Sequence, residues 1–173
     1  MDGNKSVTAN FVVDTSMGNV RVNIQPQPAI DEGAQWKMFP FTSWYNSGDQ
    51  LNGITPKRYY VTLKDLPGWV APQNIPVDVV GGTTAQVTST YQEIPGIVQV
   101  TIEPAAASVA GARWRLNGGA WQSSGATTNG VPSGTHQIEF QSISGWSTPA
   151  SQPITVPRAG MIIRTGQYTP PPG

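Results

Sequence analysis

The sequence predicts an all-β chain built as two tandem small β-sandwich domains, and three observations predict it. Glycine (19) and proline (16) are abundant in the 173 residues, a mixture that works against helices and suits short strands joined by tight turns. Apolar residues alternate with polar ones in short runs, the period of a half-buried strand. The chain also matches itself, so that one unit occurs twice. Six tryptophans, five tyrosines and four phenylalanines supply enough apolar surface for packed cores.

The duplication sets GNVRVNIQPQPAIDEGAQW, from Gly18, over GIVQVTIEPAAASVAGARW, from Gly96. Val20, Val22, Ile24, Pro26, Gly33, Ala34 and Trp36 meet Val98, Val100, Ile102, Pro104, Gly111, Ala112 and Trp114. One residue is dropped from the second copy near Pro40. Beyond it Trp44, Asn52, Gly53, Gly68, Trp69, Pro72, Pro76 and Tyr91 meet Trp121, Asn129, Gly130, Gly145, Trp146, Pro149, Pro153 and Tyr168. The expected domains are 18–92 and 95–169, with little free linker between them. Residues 1–17 match neither copy, and the proline-rich 170–173 reads as a stiff, extended spacer.

Strands follow in order from the alternation. Val20, Val22 and Ile24 share one face of the first; Ala34, Trp36 and Met38 share one face of the second. Tyr59, Val61 and Leu63 mark a third, Val77 and Val79 a fourth, and Ala85, Val87, Ser89 and Tyr91 a fifth. The aligned positions repeat this in the second copy, where Asn117-Gly118-Gly119 adds a hairpin signal, because both central positions tolerate positive φ. Gly81-Gly82 reads as a hairpin turn as well. Pro76 and Pro153 sit where an edge strand tolerates a missing donor. The predicted core of the first copy is Val20, Val22, Ile24, Trp36, Val61, Leu63, Trp69, Val77, Val79 and Tyr91.

The stretch GARWRLNGGAWQSSGATTNGVPSGTHQIEFQSISGWSTP resembles the PEGA-like repeats of bacterial exported proteins, through its Asn-Gly-Gly turn, its Pro-Ser-Gly-Thr-His lead into a strand and its Gly-Trp before proline. The first copy keeps Gly68-Trp69 and Pro72 but carries Phe39-Pro40-Phe41-Thr42 in place of that turn. MDGNKSVTANF, with Val7, Ala9 and Phe11 alternating, resembles the last strand of a divergent InlB-type B-repeat of bacterial surface proteins; on that reading Met1 is an internal residue. The resemblance implies Ig-like β modules of an extracellular or cell-surface bacterial protein, acting as spacers or contact surfaces, with the export signal outside this chain.

Ten basic and ten acidic residues give no net field, so nucleic acid and anionic lipid are not expected partners. No run is long and apolar enough to cross a bilayer as a helix. Cysteine is absent, which removes disulfides, thiolate chemistry and cysteine-based metal sites. His136 is the one histidine, aligned with Tyr59, and reads as a strand-face residue. Serine triads and multi-histidine metal sites are excluded by that count and by the lack of a GxSxG elbow. Asp31 and Glu32 read as a solvated loop, since Val109 and Ala110 replace them in the second copy and no calcium-loop spacing surrounds them. Lysine-to-asparagine isopeptide bonds, with Lys37 or Lys64 as donors, are disfavoured because Lys37 aligns with Arg115. No catalytic residue, metal or cofactor is therefore expected.

Aromatic residues are the binding candidates, because an exposed ring stacks on a sugar or anchors an interface. Trp36 and Trp114 read as core. Phe39, Phe41, Trp44 and Tyr45, in a stretch peculiar to the first copy, together with Trp69 and Trp146 of the Gly-Trp loops, form the candidate surface. The expectation is a non-catalytic spacer, or alternatively an adhesin-like module for a glycan or an envelope protein.

Overall fold

The computed structural model describes residues 16–170. The two terminal features, the strand around Val7, Ala9 and Phe11 and the end of the proline tail, lie outside them. The described residues form two compact units, one taking those up to Lys64 with Ala71–Tyr91, the other Asp65–Val70 with those from Gln92 onward.

The first unit holds β1 (Gly18–Gln25), a helical turn α1 (Gln27–Asp31), β2 (Gln35–Met38), β3 (Tyr45–Asn46), β4 (Gln50–Ile54), β5 (Lys57–Leu63), β7 (Ile75–Val79) and β8 (Thr84–Thr90). β6 (Trp69–Val70) lies within Asp65–Val70 and so belongs to the second unit. That unit continues with β9 (Gln92–Glu93), β10 (Gly96–Glu103), α2 (Ala105–Val109), β11 (Trp114–Leu116), β12 (Thr127–Val131), β13 (Gly134–Phe140), β14 (Gln152–Val156) and β15 (Met161–Gln167).

Each unit is a sandwich of two sheets. In the first, β4-β1-β8 faces β3-β2-β5-β7; in the second, β12-β10-β15 faces β11-β13-β14. The alternation that marks the strands also marks their inner faces. Val20, Val22 and Ile24 are buried from one sheet, and Trp36, Met38, Val61, Leu63, Val77 and Val79 from the other. The second core repeats the scheme with Val98, Val100 and Ile102 against Trp114, Ile138, Phe140, Ile154 and Val156. Each central indole is completely buried, and its N–H still finds an acceptor, Trp36 on the carbonyl of Asn46 and Trp114 on that of Ser123, both at 2.9 Å. Burial of a tryptophan requires this, because an unpaired donor in the core offsets much of the gain from its area.

The last strand of each unit pairs in parallel with the long central strand of its sheet, β8 with β1 from Asn19↔Thr84 to Gln25↔Thr90, and β15 with β10 from Ile97↔Met161 to Glu103↔Gln167. The turn at Gly81-Gly82 therefore does not close a hairpin: it passes the chain from one sheet to the other, since β7 pairs with β5 while β8 pairs with β1. Asn117-Gly118 does make a tight reversal, with both residues at positive φ (48° and 71°) and Gly119 N–H donating to the Leu116 carbonyl at 2.9 Å. β7 and β14 are edge strands, which places Pro76 and Pro153 where no ladder donor is lost.

Two features depart from the alternation. Gly53 and Gly130, aligned beside Asn52 and Asn129, lie inside β4 and β12 rather than in turns, at φ 70° in both units. The register against β1 and β10 slips there, between Gly18 and Val20 and between Gly96 and Val98, so the glycine supplies the left-handed residue of a bulge. The helical turns α1 and α2 follow β1 and β10 directly. Each turns one alanine, Ala29 or Ala107, completely into the core, a pattern too short for periodicity to reveal.

Candidate functional site

The outer face of the sheet β3-β2-β5-β7 gathers the exposed aromatic side chains of the first unit. Strand parity decides this. Trp36 and Met38 point inward along β2, so Lys37 and Phe39 belong to the other face; Tyr59 and Val61 point inward along β5, so Tyr60 does too. Phe39 is 78% exposed, Tyr60 50% and Trp44 38%. Phe39 and Tyr60 wall a groove of about 550 Å³ completed by Thr62 and Asn74. They also line a second groove of about 290 Å³ with Pro40, Lys57, Arg58 and Tyr59.

Charges on this face are few and local. Arg58 forms a two-pronged ion pair with Asp78 across β5 and β7, at 2.7 Å on each prong. This pairing holds the Asp78 carboxyl below its ordinary range and the Arg58 guanidinium above its own. Lys37 Nζ lies 4.6 Å from the centre of the Trp44 ring. Arg115 stands in the same way 4.5 Å over Trp121, so a cation against an indole is a shared feature of the two units.

The units differ in what surrounds that pair. Arg115 faces Glu139 across β11 and β13 and bonds it at 2.6 Å, and Glu139 also accepts the Gly118 N–H at 2.8 Å. Lys37 faces Thr62 instead. Beside the second unit's pair, Asn117 donates to His136 Nδ1 at 2.7 Å and accepts the Gln137 N–H at 2.8 Å, while His136 Nε2–H donates to the Pro132 carbonyl at 2.8 Å. His136 thereby brackets the turn, tied to Asn117 on one side and Pro132 on the other. Polar side chains thus close on one another where the first unit shows Phe39 and Tyr60.

The remaining sequence candidates are placed as follows. Phe41 and Tyr45 are half-buried, Phe41 tilted against Tyr59 with ring centres 6.4 Å apart and Tyr45 against Trp36 at 4.9 Å. Trp69 is 7% exposed and lies in the second unit beneath the Arg158 guanidinium, 4.5 Å from its ring centre. Glu93 pairs with Trp69 across β6 and β9, stands 3.9 Å from Arg158 and accepts the Ser133 N–H at 2.6 Å. Trp146 is half-buried against the second core. The structure therefore brings Phe39 and Trp44 to an outer surface and gives Trp69 a packing role. Tyr60 was missed, although its parity opposite Tyr59 and Val61 is a sufficient signal.

Among the described residues no group of three or more histidine, aspartate or glutamate side chains is placed to hold a metal ion, and no helix is long and apolar enough to cross a membrane. Asp31 accepts from Gln27 at 2.7 Å within α1. Lys64 donates to Gln35 at 3.1 Å, and no carboxylate is buried among the described residues.

No family model matches the chain, and no curated protein matches it. Among solved structures, the Bacillus anthracis TIE protein superposes with a TM-score of 0.62 at 17% identity, over 90% of this chain and 34% of that one. The chain thus spans about a third of that protein's length and shares its fold in that region. A Streptococcal ancillary pilin matches with a TM-score of 0.34 at 13% identity, over 91% of this chain and 64% of that one. GBS52, the minor pilin of Streptococcus agalactiae, matches with a TM-score of 0.33 at 8% identity, over 90% and 98%. At those two scores the likeness carries nothing further, and what the first one shows is an all-β sandwich architecture.

Proposed function

We propose that this chain is a non-catalytic structural module, a spacer of tandem β-sandwich repeats from a bacterial cell-surface or secreted multidomain protein. The observation that carries the reading is the duplication itself. Two successive units order their matching strands alike, β4-β1-β8 and β2-β5-β7 against β12-β10-β15 and β11-β13-β14, and share the parallel closure and the central indole, each with a core of its own. Repetition of a complete core lengthens a protein without demanding new chemistry. The PEGA-like residues of the second copy and the InlB-like start support the extracellular setting, and the fold shared with the Bacillus anthracis TIE protein supports the sandwich architecture.

A second reading is an adhesin-like module that binds a glycan or an envelope protein through Phe39, Trp44, Tyr60 and the neighbouring Phe41 and Tyr45. Its specific support is that Phe39 and Tyr60 stand exposed on the first unit where the second has the closed polar network around Asn117, whereas the Trp44 indole has an equally exposed counterpart in Trp121. Trp69, 7% exposed, belongs to the folded frame, while half-buried Trp146 stays a candidate of the same kind as Phe41 and Tyr45.

Binding of the purified chain to an array of glycans and bacterial envelope components, with Phe39→Ala and Trp44→Ala alongside, separates the two. Saturable binding lost in either variant establishes the recognition module. No binding by a well-folded chain leaves the spacer. Turnover of any substrate that disappears in His136→Ala or Asp31→Ala would overturn both.

A further inference from the structure

The geometry points to a load-bearing function: each unit is a mechanical clamp that resists tension applied along the chain. This inference rests on the spacer reading in one respect, that force enters through the chain ends.

The direction of the strands decides how they meet the load. β1 and β8 run parallel, side by side, over Asn19↔Thr84 to Gln25↔Thr90. Tension pulls β1 from its first residue and β8 from its last, and these lie at opposite ends of the shared ladder. The strands are therefore loaded in shear, and the evenly spaced bonds of a parallel ladder must give way together. β1 is also the middle strand of its sheet, held on its other side by β4, so sliding it breaks two ladders. β10 and β15 repeat the arrangement from Ile97↔Met161 to Glu103↔Gln167, with β12 on the far side of β10.

Both ends of the clamp are pinned. Beyond β8, Tyr91 N–H donates to the Gln25 carbonyl at 2.8 Å, extending the ladder, and its ring is buried. Tyr168 does the same for β15, donating to the Glu103 carbonyl at 2.7 Å. Within β1 and β10, Ser47 and Ser124 accept the Ile24 and Ile102 N–H groups at 2.8 and 2.9 Å. These bonds tie each central strand to a neighbouring loop. Forced unfolding is governed by the unfolding barrier rather than by equilibrium stability, so the direction of pulling decides the force.

Single-molecule pulling on the full chain tests this, and the absence of cysteine makes two introduced thiols the only attachment points. Handles on Met17→Cys and Pro170→Cys load both ladders in shear. Handles on Met17→Cys and Thr83→Cys, attached under reducing conditions, pull the first ladder apart from one end, rung by rung. Both variants are first shown to keep the parent's circular dichroism and tryptophan emission. The expected result at equal loading rate is a rupture force several-fold higher end to end than in the peeling geometry, with two unfolding events in the end-to-end traces. Equal forces in the two geometries, or a lower force end to end, would overturn the clamp. That failure is distinct from failure of the spacer reading, which would show as saturable ligand binding in the array.

Discussion

Tyr91 donates its hydroxyl to the carbonyl of Lys64 at 2.6 Å. The bond joins the residue after the last strand of one sheet to the residue after β5 in the other. Tyr168 makes the equivalent bond to Gln141, also at 2.6 Å. Each buried ring therefore ends its unit by stitching the two sheets together at their margin, while the phenol keeps a partner inside the core.

Tyr168→Phe removes the stitch and leaves the Gln141 carbonyl without that donor. The expected loss is about 1 kcal/mol, read from the denaturant midpoint at unchanged slope. A slope change instead would mean that the residue shapes the unfolded ensemble rather than the folded margin.

Burial raises the Tyr168 hydroxyl above its ordinary value of 10.0. The folded state therefore holds this proton more tightly than the unfolded state. The associated stability is complete below pH 10, the unfolded value, and is lost as the pH rises toward the folded one. Wild type should lose stability above pH 10 more steeply than Tyr168→Phe when both are followed by alkaline denaturation. Identical alkaline profiles would remove Tyr168 as the titrating group.

Trp114 is completely buried at the centre of the second core, so Trp114→Ala should cost about 3–5 kcal/mol through lost transfer energy and the cavity left behind. Thermal unfolding followed by calorimetry checks this, and an unchanged transition would place the indole at the surface.

Phe140 and Gly166 form a matched pair. A methyl group on Gly166 would run into the Phe140 ring, and the corresponding strand positions of the first unit hold Leu63 and Ser89, given the registers Trp36↔Leu63 with Trp114↔Phe140 and Ile24↔Ser89 with Ile102↔Gly166. Gly166→Ser alone should overpack the second core and cost about 1–3 kcal/mol. Adding Phe140→Leu should recover most of that loss, as measured by a double-mutant cycle. Strict additivity would show that the two residues do not share the space.

Phe39→Ala and Tyr60→Ala truncate rings that stand on the outer face. Stability should change by no more than about 0.5 kcal/mol. A large loss in either would make the aromatic face part of the frame and weaken the binding-module reading at its base.

How much of this was legible depends on the kind of information each feature uses. Alternation in VRVNI, WKM and YYVTL identifies β1, β2 and β5 and their buried faces, while Phe39 and Trp44 stand out only because their stretch differs between the copies. It does not reveal that Gly53 and Gly130 sit in a bulged strand, because an Asn-Gly pair has the same composition in a turn and in a bulge. Nor does it expose the Ala29 and Ala107 helical turns, which rest on a single buried residue each.

By itself the sequence determined the class and the repeat. Periodicity and turn chemistry are local, and the recurrence of Trp, Gly and Pro at matched positions needs no partner in space to be seen. Only the tertiary structure decided which strands are neighbours. The parallel closure of β1 on β8, the passage of Gly81-Gly82 between sheets and the packing of Trp69 under Arg158 in the second unit all depend on contacts between residues far apart in the chain. A period of two states which face a side chain takes, and leaves open which strand lies beside it. That neighbour is set by how two complete inner faces fit together around one indole.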